Sequence, residues 1–205
     1  MINKYNILFV AGLSCLSLTS MAKLQTFTGT YLGIIGDLGN TGMTVDDKNT
    51  TPDTRYKITG TTYNVGAIAG IGRAWQRAYF GFEGGIGYNG GKITKNGGKL
   101  THGFNFDIAT RIGRPIHDAA IMPYLRLALT YQRMTFNAGA DHNFHTYGFQ
   151  PGLGIEFIVD PVWRIRAEAS YNIGIHTTNL PSQYKIKSKP SSFVGRIGAT
   201  RKLSE

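Results

Sequence analysis

Residues Tyr124–Arg133 read YLRLALTYQR. Leu125, Leu127, Leu129 and Tyr131 fall in one register; Tyr124, Arg126, Ala128, Thr130 and Gln132 fall in the other. Successive strand side chains point to opposite faces, so the stretch predicts a strand with one apolar and one polar face. The fold turns on which face looks inward. If the leucines meet a core, the sheet is soluble. If they point outward, the solvent on that side is lipid.

The same period recurs along the chain. Alternating segments span approximately Thr26–Leu38, Tyr63–Ala74, Ala78–Asn89, His102–Ile112, Met122–Phe136, His145–Ile158, Val162–Ile175 and Ser192–Leu203. In the third, Phe80, Phe82, Ile86 and Tyr88 oppose Gly81, Glu83, Gly85 and Gly87; in the fourth, Phe104, Phe106, Ile108 and Ile112 oppose Asn105, Asp107, Ala109 and Arg111. The seventh sets Trp163, Ile165, Ala167 and Tyr171 against Arg164, Arg166, Glu168 and Asn172. The first and last segments alternate less cleanly. The clear ones exceed a soluble strand of five or six residues and match the roughly 9–11 tilted residues that cross a bilayer.

Connections between these segments alternate in length. Gly39–Thr62, Gly90–Thr101 and His176–Ser191 are long, Trp75-Gln76-Arg77 and Val159-Asp160-Pro161 are tight, and GRPIHDAAI and NAGADHN are intermediate. An antiparallel meander with loops on one rim and turns on the other produces this order, and outer-membrane barrels show that asymmetry. An even strand number leaves both ends of the chain on the short-turn side.

The 205 residues suit one domain, and 27 glycines, 12% aromatics and only 17% charged residues favour an all-β protein. Lys4, the apolar Ile7–Leu18 and the small residues Ser20 and Ala22 predict a secretory signal over 1–22, leaving 23–205 as the barrel domain. Cys15, the only cysteine, lies within that signal, so the mature chain is expected to have no thiol chemistry. A net charge of +10 would suit nucleic acid. An exported chain rarely meets it, so no nucleic-acid partner is expected.

Side-chain size and charge decide the orientation. A soluble barrel exposes Lys and Glu freely on its polar face. Here that face holds Gly, Ala, Ser, Thr, Asn and Gln, while Lys48, Lys57, Lys92, Lys95, Lys99, Lys185, Lys187 and Lys189 fall in the long connections. The strand-borne charges Glu83, Asp107, Glu156 and Glu168 balance Arg111, Arg126, Arg166 and Arg196. Paired charges among small residues suit the narrow lumen of an eight-stranded barrel, which side chains just fill. The apolar face is then lipid-facing, with Phe27, Trp75, Phe80, Phe157 and Trp163 expected at the short-turn rim. Tyr63, Tyr88, Phe104, Tyr131, Tyr147 and Tyr171 are expected at the long-loop rim. The expected fold is an eight-stranded antiparallel up-and-down transmembrane β-barrel.

The signal, the eight segments and phrases such as YFGFEGGIGY, GFQPGLGIEFIV and RIRAEASYNIG resemble the OmpA-type and opacity-protein-like outer-membrane β-barrel family. The resemblance implies a place in the bacterial outer membrane among lipid and lipopolysaccharide, and insertion by the barrel assembly machinery. It also implies a structural, adhesive or serum-resistance role. Such chains usually end on an aromatic residue, whereas this one ends TRKLSE.

Two stretches carry residue types capable of chemistry. Ile175–Asn179 (IHTTN) resembles the His-x-Ser stretch of lipid A deacylases, with His176 as base and Thr178 in the nucleophile's place, but no downstream carboxylate precedes Glu205. Asp141, His142 and His145, with His102 and His176, are metal-capable residue types on a loop without supporting spacing. No catalytic residue, metal site or cofactor is therefore expected. A filled lumen also argues against a pore. What remains is a cationic rim, with Lys92, Lys95, Lys99, Lys185, Lys187 and Lys189 as candidate contacts for host or other acidic surface ligands. A soluble lipocalin-type barrel is the alternative fold; its N-terminal Gly-x-Trp is missing.

Overall fold

The computed structural model describes residues 27–47, 54–75, 78–95, 98–116, 120–137, 141–178 and 184–204. Nine strands follow in chain order: β1 (Gly29–Asp47), β2 (Thr54–Trp75), β3 (Ala78–Gly90), β4 (Lys92–Lys95), β5 (Gly98–Gly113), β6 (Ile121–Asn137), β7 (Asp141–Ile158), β8 (Trp163–Thr178) and β9 (Tyr184–Ser204). Every pairing is antiparallel. β1 pairs with both β2 and β9, and β3 pairs with β5 from Tyr79↔Gly113 to Tyr88↔Phe104, so the sheet closes on itself. The short β4 continues the β3 wall past Gly91 and pairs with β5. Gly91 makes that step at φ 124°, a backbone conformation open to glycine but strained for other residues. The result is an eight-stranded barrel with one short extra strand.

Closure satisfies the backbone along the wall, and the side chains then sort by face. Leu127 and Leu129 of the opening stretch lie on the outside, while Tyr124, Arg126 and Ala128 are buried inside. The exterior is a belt of Leu32, Ile34, Leu38, Val65, Phe82, Ile86, Leu153, Ile165 and Ile197; Ile197 is 69% exposed. Apolar surface this continuous, on a barrel whose charges point inward, is the inverse of a water-soluble protein. It is the surface of a membrane-spanning barrel.

The structure corrects two expectations. The long connections are mostly strand: β1 and β2 stay paired out to Asp47↔Thr54, and β9 begins at Tyr184. Lys57, Lys92, Lys95, Lys99, Lys185, Lys187 and Lys189 therefore lie on strands, beyond the aromatic belt, while Lys48 lies outside the described residues. Above the bilayer the outward face becomes polar, so the period-two signal fades although the ladder of hydrogen bonds continues. Second, Phe27 is not a girdle residue. It is fully buried and packs edge-on against Tyr79 at 6.5 Å, inside the short-turn end. The segment 1–22 with its expected cleavage lies outside the described residues, as do Gln76 and Arg77. The other named girdle residues face outward: Trp75, Phe80, Phe157 and Trp163 at one rim, and Tyr63, Tyr88, Phe104, Tyr147, Tyr171 and the half-buried Tyr131 at the other.

At the short-turn rim Asp160 holds the β7–β8 connection, its Oδ1 accepting from the backbone N–H of Val162 and of Trp163 at 2.7 Å each. Inside, three tyrosines lie over glycines. Tyr79 covers the cross-strand partners Gly72 and Gly81, Tyr31 covers Gly70, and Tyr124 folds over its own register partner Gly154. A Cβ on Gly72 would sit 2.3 Å from the Tyr79 hydroxyl, and one on Gly154 would sit 2.3 Å from the Tyr124 ring. Gly72→Ala and Gly154→Ala are expected to lower the unfolding free energy by about 1–3 kcal/mol through overpacking. Gly84→Ala, where a Cβ meets nothing within 4 Å, should be neutral. Urea midpoints of the folded band in gel-shift assays check the contrast.

Candidate functional site

The lumen is built in layers. Its floor, at the short-turn end, is apolar: Phe27, Tyr79 and Met122, with Ile158 packed against them. Above lies a layer of charge. Arg166 holds Glu83 through two nitrogens at 2.5 and 3.2 Å. Arg126 binds Asp107 and reaches Glu83 at 3.4 Å and Glu168 at 3.8 Å. Arg111 binds Glu156 and lies 3.8 Å from Glu83, while its guanidinium stacks 4.1 Å from the Tyr124 ring centre. Tyr31 donates its hydroxyl hydrogen to Glu83 at 3.0 Å.

The structure thus brings Glu83, Asp107, Arg111, Arg126, Glu156, Arg166, Glu168 and Arg196 into one connected set. Sequence reasoning missed two further members. Asp37 receives Arg196 through Nε at 2.8 Å and a second nitrogen at 3.0 Å, and Arg164 lies 3.7 Å from Glu156. Asp37 sits in the first segment, where inward Tyr31 and Ile35 blur the alternation. Arg164 was legible on the inward register of its segment, directly before Arg166. The five guanidinium groups match the five carboxylates in number. Desolvating each charge costs several kcal/mol, and only its neighbours offset that cost.

Above the charges is a zone of uncharged polar groups. Asn64 donates to Asp37 at 3.0 Å, Asn105 donates to Asn64 at 2.8 Å, and Gln150 donates to Ser170 at 2.9 Å. They border a cavity of about 60 Å³. At roughly 10–15 Å³ per water centre it has room for several waters. The lumen is roofed, at the long-loop end, by Met43, Ile93, Leu100, Met134, Phe136 and Phe144. These residues belong to the strand extensions that the sequence reading assigned partly to loops.

His102 joins this roof because of a bulge. Between His102 and Asn105 β5 carries one residue more than β6, so His102 faces Met134 on the inside rather than following Phe104 and Phe106 outward. The ring lies above the Phe104 girdle, outside the spanning part of the strand, and is buried. Burial pulls its pKa from the ordinary 6.5 down to about 4, opposed weakly by the Gly91 backbone.

His145 and His176 are on the outside. His145 stacks on Tyr131 at 5.6 Å between ring centres, and its Nδ1 shares a 2.8 Å hydrogen bond with the Tyr131 hydroxyl. His176 lies 6.3 Å from the Tyr147 ring. Among the described residues no three His, Cys, Asp or Glu side chains come together as a metal site. His176 is on the exposed outer wall.

Comparison with known proteins agrees with this architecture. Residues 8–189 match the family model described as outer membrane protein beta-barrel domain. The chain belongs to that family. Curated relatives include the 25 kDa outer-membrane immunogenic proteins of Brucella ovis and Brucella abortus, each 28% identical over 131 residues, or 63% of this chain. The match spans 59% and 55% of those proteins' own lengths. Among solved structures, Neisserial surface protein A aligns with a TM-score of 0.53 at 14% identity, covering 84% of this chain and 97% of that one. OprG of Pseudomonas aeruginosa aligns with a TM-score of 0.50 at 13% identity, covering 87% and 98%. At those identities the likeness is one of fold. The protein is an outer-membrane β-barrel of the bacterial cell envelope, set in lipid and lipopolysaccharide.

Two predictions follow from this member of the family. Glu83→Gln leaves Arg166, Arg126 and Arg111 short of a carboxylate and is expected to cost about 3–5 kcal/mol, read from urea unfolding in lipid vesicles. His102 generates a pH dependence. The native ring stays neutral down to about pH 4, whereas the unfolded ring takes a proton near 6.5. Stability is therefore lost as pH falls from 6.5 towards 4, by about 3 kcal/mol at 1.36 kcal/mol per pH unit. His102→Leu should flatten that limb of the stability profile.

Proposed function

We propose that this family member is a closed surface barrel that acts through its outer rim, where cationic strand extensions meet acidic ligands in an adhesin-like role. The observation that carries the reading is the balanced layer of five arginines and five carboxylates filling the lumen. A lumen occupied by mutually neutralised charges, between an apolar floor and an apolar roof, gives ions no continuous path. Function then falls to the parts that project beyond the membrane.

Those parts are long. β2 has 22 residues and β9 has 21, about twice what a bilayer crossing needs. Lys92 and Lys95 lie on β4, Lys99 on β5, and Lys185, Lys187 and Lys189 on β9. A ladder of backbone hydrogen bonds holds these positions, so a cationic rim built on them is more ordered than one on free loops. Sulfated glycans, lipopolysaccharide phosphates and acidic protein segments share the complementary charge.

Two other readings have separate tests. A small pore would show conductance in planar bilayers. A lipid A-modifying enzyme using His176 would produce lipid mass shifts that vanish in His176→Ala. For the favoured reading, the reconstituted barrel should bind immobilised heparin at low ionic strength and release it steeply with salt. Changing Lys92, Lys95, Lys99, Lys185, Lys187 and Lys189 together to Gln should weaken retention at least tenfold with the folded band unchanged. Salt-independent binding, or full retention by that variant, would reject the cationic rim.

A further inference from the structure

The outer wall carries a second cationic feature, at the level of the outer aromatic girdle rather than on the rim. Arg133 on β6 and His145 on β7 are register partners, and so are Tyr131 and Tyr147 on the row below. Tyr147 is in turn the partner of His176 on β8. Arg133, Tyr147 and His176 are exposed, and Tyr131 and His145 are half-buried. Strands lie about 4.8 Å apart, and same-face residues along a strand about 7 Å apart, so these five side chains form one outward array roughly 10 Å across.

His176 is there because the strand departs from regular alternation. Arg164, Arg166, Glu168 and Ser170, at even positions of β8, are buried inside. Continued alternation would send His176 inward too. Instead β8 carries one extra residue: Gly148 pairs with Gly174, yet Tyr147 pairs with His176. The bulge turns the imidazole outward beside Tyr147, with ring centres 6.3 Å apart. Bulges commonly re-aim a side chain towards a ligand.

The array also lacks the acid that would neutralise it. Every lumen arginine has a carboxylate within 4 Å, but Arg133 has no carboxylate partner among the described residues. Asp141, two outward rows further from the membrane, accepts a hydrogen bond from Asn137 at 2.6 Å. The donors are well placed. With the Tyr131 hydroxyl donating to Nδ1 of His145, the Nε2–H of that ring remains available, and the Tyr147 edge contact at 5.4 Å fixes the Tyr131 ring.

We infer that this array is a seat for the phosphate of an outer-leaflet glycolipid, with Arg133 as its fixed charge and His145, His176 and Tyr147 as hydrogen-bond donors. The level selects the ligand: interfacial tyrosines mark where headgroups lie, and a guanidinium there meets phosphate before it meets soluble anions. This seat is independent of the lysine rim, because none of its residues lies in that set.

The test uses the full barrel in nanodiscs containing bisphosphorylated lipid A, or the same lipid after enzymatic dephosphorylation, with native mass spectrometry counting the lipid retained after detergent exchange. Wild type should retain the phosphorylated lipid at least tenfold better. Arg133→Gln/His176→Gln should remove that preference while keeping the folded band and heparin binding. The six-lysine variant should keep the preference while losing heparin. Equal retention of both lipids, or a preference that survives the double variant, would overturn the seat. Displacement by millimolar inorganic phosphate as effectively as by lipid would overturn its assignment to a lipid headgroup. If the double variant misfolds, Arg133→Lys and His145→Gln, each expected to lower retention severalfold, decide in its place.

Discussion

Ten charges share a lumen from which bulk water is largely excluded, and the rest of the barrel follows from their neutralising one another. Glu83 shows the arrangement: Arg166, Arg126 and Arg111 converge on it from three different strands, and Tyr31 donates from a fourth. No pair on neighbouring strands could do this alone. Groups up to 83 residues apart in sequence have to be brought to one point, so the wall must close with a fixed register before the charges can pair. A slip of one residue would turn a strand inside out, exchanging arginine for isoleucine at the lipid face. The charges thus specify the register as much as they stabilise it.

The glycine pattern is the steric counterpart of that layer. An eight-stranded lumen is too narrow for large residues on every strand. Tyr31, Tyr79 and Tyr124 fit because Gly70, Gly72, Gly81 and Gly154 leave the wall beside them bare. The rings in turn support the cations, as Tyr124 lies against Arg111 and Phe27 against Arg164. Glycine is therefore abundant for a reason of volume.

This division explains what the sequence made legible. YLRLALTYQR was readable because lipid on one side and lumen on the other enforce alternation at every position. Membership in the barrel family and the outer-membrane location follow the same signal. Asp37 escaped because its own strand buries Tyr31 and Ile35, so the inward face of β1 looks apolar. Phe27 was misplaced because periodicity places an aromatic residue near the short-turn rim without saying whether its ring lies inside or out. The strand extensions read as loops in the sequence because, once the wall leaves the bilayer, both faces are free to be polar and only backbone hydrogen bonding marks the strand.

Two of the bulges, in β5 and β8, redirect histidines, and they act in opposite senses. In β5 the extra residue turns His102 in, against Met134, where burial keeps the ring neutral. In β8 it turns His176 out, beside Tyr147. Regular strands would have done the reverse, placing one imidazole at the lipid interface and the other above the charge layer. A backbone defect costs ladder hydrogen bonds, and such a defect in the wall of a membrane barrel is offset only by what the redirected side chain gains. For His102 the gain is closure of the apolar roof. For His176 the lumen offers no comparable return, since its charges are already matched five to five, and the gain has to come from outside the wall. That asymmetry is the physical reason to look for a ligand on the outer surface beside Arg133 rather than within the barrel.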